Sequence, residues 1–261
     1  MTEALTKSVV RAIHPSSSAY FFDFDGTLVE FADQPDLVRL APEIRRDIDR
    51  IAVAAGGALA IITGRDLGDV DRFLAPMVLP IAAVHGMMRR SADGIVHHSP
   101  VDGDAIEVLQ DRLGAFVEST PGVLLERKQG SVALHYRVRP SLEAACVTAM
   151  DEAASDLSGV QLLRGKMVIE AKAGAGNKGL AVADFMAEQP FAGRTPIFAG
   201  DDITDEDAFE EVNVRRGISI KVGTGNTSAQ YRIESIAALH EWLHDLVDVL
   251  EGANAKGTKS S

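Results

Sequence analysis

The chain has 261 residues, of which 46% are hydrophobic and 25% are charged, and its net charge is −12 at pH 7. This composition is typical of a soluble globular protein, and the length is enough for a sizeable core and for more than one domain. The negative charge argues against nucleic-acid and anionic-membrane partners, which need a basic surface, although a few local cations can still bind an anionic substrate.

The N-terminal segment and the cysteine content bear on the cellular compartment. No apolar run reaches the 18 residues of a membrane-spanning helix, and residues 1–18 lack the apolar block of a signal peptide. The single cysteine, Cys146, lies in a stretch with a helical pattern, where we expect an inert thiol in the core. These features predict a cytoplasmic protein.

The first part of the chain alternates strands and helices. Tyr20 to Phe22 predict a buried strand, and Asp23 and Asp25 follow it directly. The patterns then predict a helix from Pro42 to Gly56, a strand over 57–62, a helix over 66–76 and a strand over 79–86.

The middle of the chain has a different pattern. Between residues 103 and 171 we expect a helix, strands over 122–128 and 131–138, a second helix, and strands over 160–165 and 167–173. The short turns at QG and RGK predict two hairpins, which indicates an antiparallel sheet with two helices. An α+β domain therefore interrupts the alternating pattern.

The alternation resumes in the last part of the chain. The patterns predict a helix over 177–189, a strand over 195–200, a helix over 204–212, a strand over 217–223 and a final amphipathic helix from Ser235 to Gly252. Strands that alternate with helices form a parallel sheet covered on both faces, so the fold class is α/β. We expect residues 253–261 to be a disordered tail.

Four polar clusters follow predicted strands or begin a predicted helix: DFDGT over 23–27, TGR over 63–65, NKG over 177–179 and GDDITDED over 200–207. Because ligands bind outside the carboxyl ends of parallel strands, we expect these clusters to meet at one site. Converging carboxylates raise each other's pKa unless a cation joins them, and Mg²⁺ prefers such oxygen ligands. The candidate metal ligands are Asp23, Asp25, Asp201 and Asp205.

These residue types suit phosphoryl transfer. An ionised Asp23 can attack phosphorus and form an aspartyl-phosphate, while the metal offsets the repulsion between two anions. Thr63 and Lys178 would bind the remaining phosphoryl oxygens. Asp25 would protonate the leaving oxygen and later deprotonate water.

Each candidate also has a structural interpretation. Asp23 and Asp25 could cap a helix at a strand-end turn, and Thr63 could cap the helix that follows it. Arg65 could form a surface salt bridge, and His85 could be a packed residue at the end of a strand.

The acidic run after residue 200 has several readings. Asp202 could orient Lys178 or the neighbouring loops. Four further acids are interpreted as charges at the N-terminus and on the solvated face of the following helix: Glu206, Asp207, Glu210 and Glu211. We expect His240 and His244, on the last helix, to be surface residues.

Taken together, the four clusters resemble the motifs of the haloacid-dehalogenase superfamily of phosphatases, present here in the same order. Within that superfamily the chain is similar to the trehalose-6-phosphate phosphatase family over nearly its whole length, in the stretches VHG (84–86), ERKQGSVALHYR (126–137), KMVIEAKAGAGNKG (166–179) and GDDITDEDAF (200–209).

The resemblance implies a fold and a sugar site. It implies a Rossmann-like core over 1–102 and 172–252, with a smaller cap inserted at 103–171 that closes over the sugar. Glu126, Lys128 and Glu170 match the family residues that bind the distal glucose, and Arg65 and His85 are further candidates for substrate contact. A carboxylate and an ammonium group two residues apart share one strand face and offer paired acceptors and donors to hydroxyls, although such a pair could also be an exposed ion pair.

The resemblance implies Mg²⁺-dependent hydrolysis of trehalose 6-phosphate. The alternatives are another sugar phosphate, such as sucrose phosphate or mannosyl-3-phosphoglycerate, a non-catalytic regulatory domain of a disaccharide-synthase complex, and a phospho-receiver, which would be about half as long and lack a cap. We expect a monomer that binds a small sugar phosphate, with the trehalose-6-phosphate synthase as a candidate partner.

Overall fold

The computed structural model describes residues 3–4, 17–32, 37–128 and 130–257. Its strands are β1 (Glu3–Ala4), β2 (Ser18–Phe22), β3 (Leu59–Ile62), β4 (Ile81–Ala83), β5 (Met88–Arg90), β6 (Val96–His98), β7 (Leu124–Lys128), β8 (Ser131–His135), β9 (Val160–Gly165), β10 (Val168–Ala173), β11 (Thr195–Gly200), β12 (Ile218–Val222) and β13 (Tyr231–Ile233).

The helices in the described part of the chain cover both sheets. They are α1 (Pro42–Ala54), α2 (Leu67–Leu74), α3 (Gly103–Ser119), α4 (Glu143–Ala154), α5 (Lys178–Met186), α6 (Glu206–Val214) and α7 (Ile236–Gly257). Among the described residues, no helix combines the length and the apolar composition that crossing a bilayer requires.

The larger sheet is mostly parallel, as expected. Among the described residues its strand order is β1–β13–β12–β11–β2–β3–β4–β5–β6. Neighbouring strands from β1 to β4 pair in parallel, whereas β5 and β6 are added at the edge in antiparallel orientation. The α/β prediction is therefore confirmed.

Strand β2 lies at the centre of the larger sheet and is buried along its whole length. The ring of Phe21 stacks on that of Phe191, with centroids 5.4 Å apart, and lies 6.0 Å from the ring of Phe185 on α5. These buried aromatic contacts hold β2 against the helix that covers it. Asp23, the residue that follows β2, therefore extends from a tightly packed strand.

The smaller sheet has the order β7–β8–β10–β9, with antiparallel pairing throughout. One face packs on α3 and α4, where it buries Val132, Leu134 and Ile169 against Cys146 and Met150. The thiol of Cys146 is free and buried, as expected. Both hairpins match the prediction, and β10 extends to Ala173, two residues beyond the expected boundary at 171.

Several elements differ from the expectations. Strands β5, β6 and β13 are not predicted, and the strand expected over 79–86 ends at Ala83 and continues as a tight turn over Val84–Gly86. Helix α7 extends to Gly257 instead of ending at Gly252. The rest of the tail expected to be disordered, residues 258–261, lies outside the described residues.

Candidate active site

The carboxyl ends of three adjacent strands carry the predicted residues. Asp23 follows β2, Thr63 follows β3 and Asp201 follows β11, and β2 lies between the other two strands. The cleft between this edge and the smaller sheet is lined by Asp23, Asp25, Thr63, Arg65, His85, Glu126, Lys128, Glu170 and Lys178. Asp201 and Asp205 lie beside it, in contact with Asp23 or with Lys178.

Lys178 connects two buried carboxylates. Its ammonium group donates to Asp23 Oδ1 at 2.7 Å and to Asp205 Oδ1 at 2.6 Å. Burial and the Asp205 carboxylate hold the pKa of Asp23 above its usual range, against the opposing effect of Lys178. Burial alone would lower the pKa of Lys178, but Asp205 and Asp23 raise it. Lys178 is therefore a fixed cation beside Asp23.

Within the described part of the chain, Asp23, Asp201 and Asp205 place carboxylate oxygens within 4.8 Å of one another. Burial and the charge of Asp205 raise the pKa of Asp201 to about 6. Such a group of buried anions suits a divalent cation. The hydroxyl of Thr27 lies between two of them, 3.3 Å from Asp23 Oδ2 and 3.5 Å from Asp201 Oδ1.

Backbone and side-chain donors fix the carboxylate of Asp205. Besides accepting from Lys178, it accepts the backbone N–H groups of Asp201 at 2.8 Å and Asp202 at 2.9 Å through Oδ2. Of the two roles expected for Asp202, contact with Lys178 is made by Asp205 instead, and the structure agrees with the other, orientation of the neighbouring loop. Asp202 accepts the N–H of Ile203 and begins the short turn over Ile203–Asp205.

The carboxylate of Asp25 points to Arg65 and does not join the acidic group. Arg65 donates through Nε to Oδ2 at 2.6 Å and through a terminal nitrogen to Oδ1 at 2.7 Å. Its guanidinium also lies over the rings of Phe24 and Phe73. The interpretation of Arg65 as a surface residue is wrong, since it is 9% exposed.

Thr63 is buried and does not cap the following helix. Its hydroxyl accepts the backbone N–H of Arg65 at 3.1 Å, and the residue at the N-terminus of α2 is Asp66. Thr63 lines the cleft, so its hydroxyl, which can still donate, is within the space that an oxygen ligand would occupy.

The smaller sheet turns a charged face to the core. Glu126, Ala133 and Glu170 are cross-strand neighbours, so both carboxylates lie on the same face. Lys128 Nζ is 3.4 Å from a carboxylate oxygen of each glutamate. The Lys128 side chain is 7% exposed, which contradicts the exposed ion pair. Burial would raise the pKa of Glu170, but Lys128 and His85 hold it well below its usual range.

Two contacts of this face reach the core. Lys128 donates to the carbonyl of Gly64 at 3.0 Å, and His85 Nε2 lies 3.4 Å from Glu170 Oε2. His85 thus both packs at the end of a strand and lines the cleft. Burial lowers its pKa, which favours the neutral ring.

Sequence reasoning missed several residues of the cleft. Lys166, in the turn between β9 and β10, donates to Asp201 Oδ2, and its ammonium lies 5.2 Å from the ring of Phe31. Arg137 lies 4.6 Å from the same ring, and His135 is 2.7 Å from Glu126. Lys166, Arg137 and His135 belong to the hairpins, whose register places them on the face shared with Glu126 or at its end, whereas Phe31 follows β2.

The expectation that His240 and His244 are surface residues is partly wrong. His240 is half-buried, and its Nε2 lies 2.9 Å from the carbonyl oxygen of Leu28. His244 is exposed, as expected, near Asp47.

Comparison with known proteins identifies the family. The model of the family described as trehalose-phosphatase matches residues 21–238. The chain is 39% identical to the trehalose-6-phosphate phosphatase of Escherichia coli (strain K12) over 254 residues, which is 96% of this chain and 93% of that protein. It is 42% identical over 209 residues to a probable trehalose-phosphate phosphatase of Sinorhizobium fredii, covering 78% of this chain and 77% of that one.

The fold agrees with solved structures. The C-terminal domain of the C. albicans trehalose-6-phosphate phosphatase superposes with a TM-score of 0.85 at 21% identity, over 95% of this chain and 99% of that one. The matched fold, the family model and the two bacterial relatives lead to one assignment. The chain belongs to the trehalose-phosphatase family of haloacid-dehalogenase hydrolases.

Proposed function

We propose that the chain hydrolyses trehalose 6-phosphate to trehalose and phosphate through a phosphorylated Asp23. The observation that supports this most is the polarity of the cleft. Asp23 and Lys178 form one end on the core, and the Glu126, Lys128 and Glu170 side chains form the other end on the smaller sheet. One end suits a phosphoryl group, and the other suits the hydroxyls of a sugar.

Asp23 acts as the nucleophile in the first step. Its carboxylate oxygen forms a bond to phosphorus while the bond from phosphorus to the sugar oxygen breaks, and that oxygen takes a proton from Asp25. In the second step ionised Asp25 removes a proton from water. The water oxygen attacks phosphorus, the bond to Asp23 breaks, and phosphate leaves with the carboxylate restored.

Arg65 orients Asp25 through two hydrogen bonds, to Oδ2 at 2.6 Å and to Oδ1 at 2.7 Å. Asp25 has to donate a proton in the first step, so Arg65 must release at least one of these oxygens before that step. Thr63 and Lys178 meanwhile bind phosphoryl oxygens and orient them toward Asp23.

The acidic group fits a divalent cation, and we propose Mg²⁺. Asp23 and Asp201 are the proposed ligands, because two backbone N–H groups fix the carboxylate of Asp205, whereas among the described residues only side chains that can move donate to Asp23 and Asp201. Gly26 leaves room beside them, since a Cβ there would lie 2.3 Å from Asp201 Oδ2. The backbone carbonyl of Asp25 is a further predicted ligand. The ion would supply positive charge that offsets repulsion between the Asp23 carboxylate and the phosphoryl oxygens.

Glu126, Lys128 and Glu170 are the proposed ligands of the distal sugar ring, with Arg65 and His85 nearer to the scissile bond. A monomeric state and an association with the trehalose-6-phosphate synthase also stay predictions.

A substrate panel tests the proposal. Phosphate release is measured with and without Mg²⁺ for trehalose 6-phosphate, sucrose 6-phosphate, mannosyl-3-phosphoglycerate and glucose 6-phosphate. We expect trehalose 6-phosphate to give the highest kcat/KM by a wide margin. A higher value for another ester would assign that substrate instead, and no release from any of them would indicate a regulatory domain.

A further inference from the structure

The turn after β4 has an unusual backbone. Val84, His85 and Gly86 have φ angles of +47°, +52° and +87°, three successive residues in the left-handed region. This region is costly for residues with a Cβ, and most of all for a β-branched one. Contacts on several sides must therefore hold the turn in this conformation.

On its first side the turn is bonded to the loop that carries Thr63 and Arg65. The N–H of Val84 donates to the carbonyl of Arg65 at 3.0 Å, and the N–H of His85 donates to the carbonyl of Thr63 at 2.9 Å. Movement of the turn would consequently move Thr63.

On its second side the turn packs against the start of α5. A Cβ on Gly86 would lie 2.6 Å from the carbonyl oxygen of Asn177, and one on Gly176 would lie 2.9 Å from the backbone of Gly86. Asn177 caps α5, whose first residue is Lys178. The backbone of the turn is thus in contact with the segments that position both Thr63 and Lys178.

On its third side the turn meets the smaller sheet. The ring of His85 lies so close to Gly64 that a Cβ there would be 2.4 Å from Nε2. That same Nε2 is 3.4 Å from Glu170, and the carbonyl of Gly64 accepts from Lys128. The proposed sugar-binding face therefore contacts the core through two pairs, Glu170 with His85 and Lys128 with Gly64.

We propose that the Val84–Gly86 turn couples the sugar end of the cleft to the phosphoryl end, with His85 as the positioning residue. The inference rests on the proposed function. Occupancy of the sugar end fixes Glu170 against His85, and the turn then holds Thr63 and Lys178 in the arrangement that binds a phosphoryl group. Coupling of this kind is reciprocal, so each ligand must strengthen binding of the other by the same factor.

The test measures that factor directly. Trehalose serves as the probe of the sugar end and orthovanadate as the probe of the phosphoryl end, both titrated by calorimetry into the Mg²⁺-loaded protein. For the wild type we expect trehalose to tighten orthovanadate binding about tenfold, and orthovanadate to tighten trehalose binding equally.

Two substitutions of His85 separate the effect of its contact with Glu170 from the effect of its left-handed backbone conformation. Asn tolerates the left-handed region but does not reach Glu170, so His85→Asn should reduce the coupling to less than about twofold. His85→Gln carries an amide donor that reaches further and should restore part of it. The matched control is His244→Asn, which removes an exposed histidine near Asp47 that does not line the cleft, and it should keep the coupling.

A second variant tests the same contact without substituting His85. The methyl group that Gly64→Ala adds would displace the His85 ring from its place beside Glu170, so this variant should also lose the coupling between the sugar end and the phosphoryl end. Thermal melting confirms that each variant is folded. Undiminished coupling in folded His85→Asn or Gly64→Ala, equal loss in His244→Asn, or no coupling in the wild type would overturn the inference.

The design separates this inference from the proposed function. If trehalose does not bind the wild type, the proposed substrate is wrong. The dephosphorylated product of the best ester in the panel then replaces trehalose, and the same outcomes decide the role of His85.

Discussion

Asp23 is held in a state that suits a nucleophile. It is 4% exposed and close to two other carboxylates, and Lys178 is the cation that offsets their charge. The carboxylate is almost fully removed from solvent, and hydrogen bonds from Lys178 and Thr27 fix its direction. Removal from water and a fixed direction would both favour its attack on a bound phosphoryl group.

Replacement of Asp23 by Asn should abolish turnover, because an amide does not attack phosphorus. The fold should persist, since Lys178 keeps its 2.6 Å contact with Asp205 and the change removes one of three mutually repelling charges. We expect a melting temperature in chelator equal to or above that of the wild type. Multiple-turnover phosphate release by the variant would contradict the mechanism, and mass spectrometry should show a phosphate on Asp23 of the wild type.

Replacement of Asp25 by Asn should slow turnover by about 100-fold or more, because both proton transfers lose their group. A nitrophenolate leaving group needs no proton, so p-nitrophenyl phosphate should still phosphorylate the variant. We expect a burst of p-nitrophenol followed by slow release of phosphate. A steady-state rate equal to that of the wild type would remove Asp25 from the mechanism.

The sequence was sufficient to predict which residues meet at the edge of the larger sheet. Strand order brings the ends of β2, β3 and β11 together, and the polar residues at those ends are visible as clusters. It could not predict which acidic residue makes which contact. Asp202 and Asp205 form a capping box at the turn after β11, and this turn directs Asp205, not Asp202, to Lys178. The run of acidic residues over 201–207 allows several such assignments.

At the scale of elements, the smaller sheet has two chemically different faces. Its apolar face lies on α3 and α4, and its charged face forms one wall of the cleft. Alternation along β7 and β10 produces both faces at once. Specificity should therefore reside on alternate residues of these strands.

Replacement of Glu126 or Lys128 by Ala should lower kcat/KM for trehalose 6-phosphate far more than for p-nitrophenyl phosphate, which lacks a distal sugar. Loss of remote binding should lower kcat as well as raise KM. The matched control is Arg127→Ala, an exposed cation between them on the same strand. Equal falls for both esters would assign these residues to the core chemistry, and no fall for either ester would place the sugar site elsewhere.

Short strands at or next to the two edges of the larger sheet are where sequence reasoning was weakest. The three-residue strands β5, β6 and β13 are too brief for an apolar period, and β6 is exposed at every residue. Pairing with an existing sheet edge forms them, so tertiary context decides. The hairpins of the smaller sheet were predictable because each pairs two longer strands across a short turn.

At the scale of the whole molecule, the two sheets have separate hydrophobic cores and together line one cleft. The acidic group lies on the core side, and Lys166 reaches it from the smaller sheet by donating to Asp201. The chain carries a net charge of −12, yet the cleft contains the cations Lys128, Lys166 and Lys178. An anionic ester thus meets local positive charge in a protein that is acidic as a whole.

Removal of divalent cations should abolish activity and destabilise the fold, because the acidic group then has no divalent partner. Mg²⁺ at about 100 times its Kd stabilises by about 2.7 kcal/mol, which corresponds to a melting shift of roughly 5–10 °C for a chain of this size. The measurement is phosphate release and melting in EDTA, before and after Mg²⁺ is restored. Asp201→Asn should lose both the activation and the shift, whereas Asp207→Asn, which removes an exposed carboxylate of α6, should keep both. Full activity in excess EDTA, or an undiminished shift in Asp201→Asn, would refute the assignment of the cation to this group.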